Sequence, residues 1–163
     1  MDEAVSAFLE AARGFRSALA SQEMETGEFA RRLRNAVARV YLAAARLPRG
    51  GSVMTDDTPS LKADRAYSRA LERSVRDRLG HADTFVDVWD PTDRDRRAKP
   101  IERSLAEELV EIDEDLARSV SWLEETQQPD ALWHTWFAFE EHWGKHAVDV
   151  LRPLHHIARG GVG

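Results

Sequence analysis

The sequence contains no cysteine. That absence removes disulfide frameworks, thiol nucleophiles, thiolate metal sites and cysteine-ligated iron–sulfur clusters. Proline and glycine are scarce, at six and nine of 163 residues. They gather between periodic segments, which favours a helical chain. No apolar run approaches the roughly 20 residues that a membrane-crossing helix needs. The opening "MDEAVSAFLE" starts acidic and lacks the pattern of a signal peptide, so a cytoplasmic location is expected. The net charge is −6, whereas a nucleic-acid binder normally carries a basic face. The local run "RRLR" at 31–34 spreads around a helix axis and reads as solvated surface. Nucleic-acid and membrane partners are therefore not expected; a protein partner or self-association remains open.

What is present reads as one all-α domain. Hydrophobic residues make up 42% and charged residues 32%, an ordinary globular balance for a chain of this length. Apolar residues at helical spacing define about five amphipathic helices. The first, about 2–20, carries Val5, Phe8, Leu9, Ala12, Phe15 and Leu19. The second follows Thr26 as a candidate N-cap and runs to about 47 through Phe29, Leu33, Val37, Val40, Tyr41 and Ala44. A polar loop at 48–58 is expected to be flexible. Thr58 and Pro59 read as the cap and first position of a third helix reaching about 79, with Tyr67, Leu71, Val75 and Leu79 inward.

A long connection over 80–99 follows, in which Phe85, Val86, Val88 and Trp89 are expected to pin the chain to the bundle. A short strand is conceivable there, but no partner strand is visible, so no sheet is expected. Pro100 is read as opening the fourth helix, to about 125, with Ile101, Leu105, Leu109, Ile112, Leu116, Val120 and Leu123 as its stripe. The fifth helix covers about 129–158, and the tail 159–163 is expected to fray. The short connection between the last two helices makes them an antiparallel hairpin, and the whole a single-domain bundle over 1–163.

The stretch "FEEHWGKHAVDVLRPLHH" at 139–156 holds four of the six histidines. On a helical wheel Trp133, Trp136, Trp143, Ala147, Val150, Leu151 and Leu154 share the core face. His142, His146, Asp149 and His156 line its border. Gly144 is expected to permit close approach of another backbone. On the fourth helix Glu108, Glu111 and Asp115 form a carboxylate row at i, i+3, i+7. Counting outward from the hairpin turn brings Asp115 level with His142, and Glu108 and Glu111 level with His146.

Two readings follow. The preferred one is structural: His–carboxylate hydrogen bonds satisfy half-buried groups and set helix register. It needs no cofactor and suits a non-catalytic interaction or regulatory protein. The alternative is a divalent metal held by His142 and His146, with Asp115, Glu108 or Glu111 completing the shell, in a hydrolase-like enzyme. Named motifs are missing: no His-Glu-x-x-His, no phosphate loop, no Gly-x-Ser-x-Gly and no paired Glu-x-x-His. His155 and His156, near the end of the helix, suit its negative pole.

Four pieces, "VYLAAARLP" (40–48), "VWDP" (88–91), "SLAEELVEIDEDL" (104–116) and "WFAFEEHWGKHAVDVLRPLHH" (136–156), together resemble an uncharacterised bacterial family, domain of unknown function number 5063. The His-Trp-Gly-x-His core is the most specific part. The resemblance implies a compact helical protein and brings no activity, cofactor or partner.

Overall fold

The computed structural model describes residues 2–21, 24–49, 64–88, 100–125 and 129–160. The order is α1 (Glu3–Leu19), α2 (Thr26–Ala44), α3 (Arg65–Leu79), β1 (Thr84–Asp87), β2 (Ile101–Ser104), α4 (Leu105–Glu125), α5 (Pro129–Ala138) and α6 (Gly144–Ala158). A 3-10 turn, Gly80–Asp83, joins α3 to β1, and a π turn, Phe139–Trp143, joins α5 to α6. None of the described helices is long and apolar enough to cross a membrane.

The apolar stripes become one core. Phe8, Phe15, Phe29, Leu33, Leu109, Ile112, Leu116, Trp143 and Leu154 are all fully buried. α2 packs against α1 on one side and α6 on the other, while α4 packs against α3, α5 and α6. The helix ends follow local chemistry. The Asp2 carboxylate accepts the Ala4 amide at 2.8 Å. Asp64 accepts the amides of Ala66 and Tyr67 at 3.0 and 3.1 Å, so the described part of α3 starts at this cap. Thr58 and Pro59 lie outside the described residues, as do Trp89, most of the 48–58 loop and the end of the tail. Thr26 is not the cap of α2. Its hydroxyl instead donates to the Arg78 carbonyl at 3.0 Å, tying α2 to the end of α3.

The expectation of no sheet is corrected. β1 and β2 form an antiparallel pair with Thr84 opposite Ser104 and Asp87 opposite Ile101. The partner strand occupies residues read from sequence as the start of the fourth helix, and Ile101 is exposed there. The fourth helix begins at Leu105 because Ser104 caps it, while the Glu107 carboxylate turns to Arg76 at 3.1 Å instead of closing a capping box. The Ser104 hydroxyl accepts the Glu107 amide at 3.2 Å. Buried Asp83 reinforces it, accepting the Ala106 amide at 2.8 Å and the Ser104 hydroxyl at 2.7 Å. Of the residues meant to pin the connection, Phe85 packs on the core, whereas Val86 and Val88 are exposed. Tyr67, expected inward, is exposed as well.

The single fifth helix is corrected too. The π turn inserts one residue, which swings α5 by about 100° relative to α6. Trp143 stays on the core face, but Trp133 and Trp136 leave it and are half-buried. Trp133 stacks on exposed Phe137 at 5.0 Å, and Trp136 lies under the Arg49 guanidinium at 5.2 Å. Gly144 explains the turn. A Cβ there would collide with the Phe139 carbonyl oxygen and meet the Phe139 ring at 3.1 Å. The backbone that approaches Gly144 therefore belongs to its own helix, not to a neighbour.

Candidate metal centre

α4 contributes Glu108, Glu111 and Asp115; the π turn contributes His142 and α6 contributes His146. The antiparallel hairpin sets the two rows at one height, and the faces turn toward each other. His142 Nδ1 lies 2.5 Å from an Asp115 carboxylate oxygen. His146 Nδ1 lies 2.5 Å from Oε2 of Glu108. On its outer side His146 Nε2 lies 3.2 Å from Oε2 of Glu111. The two imidazole rings stand 4.8 Å apart, centroid to centroid, edge to face.

Burial divides these groups into two layers. The side chains of Asp115 and Glu108 are only 6% and 8% exposed, while His142 and Glu111 are 54% and 51% exposed. The inner carboxylates hold the Nδ1 side of each ring. A carboxylate at that distance accepts a proton from Nδ1, so in the neutral ring Nε2 is the nitrogen with a lone pair; at His146 that nitrogen faces Glu111. One donor atom from each of Glu111, His142 and His146 lies within 4.8 Å of the others. Donors about 2.0–2.1 Å from a tetrahedral metal stand roughly 3.3 Å apart. The His146–Glu111 pair is already at that spacing, and His142 is exposed enough to swing in.

A guanidinium stands behind the inner layer. Arg103, on β2, reaches Oε1 of Glu108 at 2.6 Å, Asp87 at 3.2 Å and Asp149 at 3.0 Å. It also lies 3.4 Å from His146 Nδ1. Lys145 adds a further ion pair to Asp149, and Arg118 one to Asp115. Burial pushes the Glu108 carboxyl up, but hydrogen bonding and charge from His146, then from Arg103, together hold it below the ordinary glutamate range. The Glu108 hydrogen bond lifts His146 above the ordinary histidine value, outweighing burial, and Glu111 adds to it. The inner carboxylate is thus kept ionised, as a partner of a metal-bound imidazole must be.

All five residues singled out from sequence as metal-site candidates meet here. Their positions separate: Glu108 and Asp115 are buried against the rings, Glu111 and His142 are exposed, and His146, with a side chain 12% exposed, lies between the two layers. Asp149, placed on the same helix border, binds Arg103 instead. His155 and His156 sit apart, exposed in the last turn of α6, with His155 Nδ1 3.3 Å from Arg34. Sequence reasoning missed Arg103 and Asp87. Their involvement depends on the β pairing, and the only local signal was the Ser-x-x-Glu pattern whose Ser104 moves the helix start to Leu105.

The fold is an all-α bundle with one small β-hairpin and a His–carboxylate cluster on the α4–α6 face. The chain belongs to an uncharacterised domain family, Domain of unknown function (DUF5063), whose sequence profile matches residues 1–159. Among solved structures it is similar to protein BF1032 from Bacteroides fragilis, with 21% identity and a TM-score of 0.78, covering 96% of this chain and 92% of that one. That likeness bears on fold alone. No curated protein matches the chain.

Proposed function

We propose that this protein binds a divalent transition metal through His142, His146 and Glu111, with coordination positions left open for water or substrate. The observation that carries the reading is the layering: two buried carboxylates hold the Nδ1 nitrogens of two imidazoles, and one donor atom from each of His142, His146 and Glu111 lies within 4.8 Å of the others. Two imidazoles and one carboxylate suit zinc, iron or manganese better than calcium or magnesium. Three protein ligands leave room for a bound water, whose pKa a zinc ion lowers to about 7, the basis of metal-assisted hydrolysis. Glu108 and Asp115, committed to the rings, orient ligands and do not serve as the general base.

The test is titration of chelator-treated, tag-free protein with zinc and manganese, followed by elemental mass spectrometry. One equivalent bound by the wild type, and lost in a His142→Ala, His146→Ala double variant that keeps its helical circular dichroism, is the expected result. Asp115→Asn removes no ligand and should weaken affinity about 10–100-fold, as loss of a ligand's supporting hydrogen bond does. Failure of the wild type to bind either metal, together with a less stable double variant, would return the histidines to the register-setting role.

A further inference from the structure

The α1 and α2 helices bound an open groove of about 1060 Å³. Its α1 rim carries Glu3 and Glu10; its α2 rim carries Arg32, Arg39 and Arg46. The floor is flattened by alanines of both helices, and the exposed Leu42 stands on the basic rim. None of these five charges forms an ion pair with another described residue. Two rims of opposite sign therefore face solvent side by side without neutralising each other.

The order of charges along the groove matters. α1 and α2 run antiparallel, and the groove extends from Asp2 and Arg46 at one end to Ala18 and Arg32 at the other. Glu10 and Arg39 each stand midway, at one height. A second copy placed face to face, by a twofold axis running along the groove, keeps every residue's height and exchanges the two rims. Glu10 of each copy then meets Arg39 of the other, and Glu3 meets Arg46. Turning the copy about an axis across the groove would set acid on acid.

We propose that the α1–α2 groove is a self-association surface, its two rims covered by those of a second copy of this chain in that parallel, twofold arrangement. The inference is independent of the metal site, with which the groove shares no residue. A helix of 17 residues is about 25 Å long, so the contact lies at the small end of specific interfaces. With charge as its main source of specificity, it weakens as salt screens it.

Sedimentation equilibrium from micromolar to millimolar protein, at low and high salt, tests this. The wild type should dimerise in low salt and dissociate in high salt. Glu10→Arg and Arg39→Glu, both at exposed positions, should each weaken association at least about tenfold by setting like charges opposite one another. The chain carrying both changes should recover it, because the swapped charges again oppose. A wild type that stays monomeric throughout overturns the proposal. So does a dimer indifferent to either reversal, or one that the double swap fails to restore.

Discussion

At the scale of single residues, burial decides which charged group yields. Arg16 Nε donates to the Asp113 carboxylate at 2.9 Å, but the Asp113 side chain is 3% exposed and that of Arg16 37%. Burial at Asp113 outweighs the neighbouring guanidinium and raises its carboxyl above the ordinary aspartate value of 3.8. The folded chain thus holds this proton to higher pH than the unfolded chain. Asp113 contributes most to stability below the ordinary aspartate range, and that contribution is lost as pH rises through the raised value. Asp113→Asn cannot titrate. Its stability relative to the wild type should therefore climb between acid and neutral pH, measured by urea unfolding at a series of pH values. A difference that instead falls across that range would show that the Arg16 pair, not burial, controls the site, and a flat one that the two cancel.

Elements are shaped here by single small residues. Alanine in place of glycine inside an ordinary helix gains about 1 kcal/mol. At Gly144 the sign should reverse, because the new methyl would strike the Phe139 carbonyl across the π turn. Gly144→Ala is expected to destabilise the protein by about 1–3 kcal/mol and to disturb the turn that carries His142. Chemical unfolding with far-ultraviolet circular dichroism reads the first effect. A variant more stable than wild type would mean that the π turn dissolves into regular helix without cost. The Ser104 cap acts in the same local way: it stops the hairpin and starts α4, and so sets the height at which Glu108, Glu111 and Asp115 appear.

For the whole molecule, the cluster links parts far apart in the chain. Arg103 of the hairpin, Glu108 of α4 and His146 of α6 form one hydrogen-bonded line. A metal bound to the folded form and not to the unfolded one stabilises by mass action, by about 2.7 kcal/mol at a hundredfold excess over the dissociation constant. Zinc added to chelator-treated protein should therefore raise the unfolding temperature, and the gain should vanish in the His142→Ala, His146→Ala variant. An unfolding temperature unmoved by zinc, or moved equally in both proteins, would count against the site.

The sequence alone determined the helical class, the core stripes and the common height of the carboxylate and histidine rows; that their faces turn toward each other came from the packing of α4 against α6. The first three follow from a 3.6-residue period and a short turn, both local quantities. The same local rule misplaced Trp133 and Trp136, because one inserted residue resets the helical phase, and its cause is a steric contact five residues back. The β-hairpin was hidden because each strand is four residues long and acquires meaning only when its partner, beyond a long connection, comes alongside. Arg103 entered the site for the same reason. Only the tertiary structure decided which carboxylates lie inside and which face solvent, since burial belongs to the packed helices together and not to any one of them.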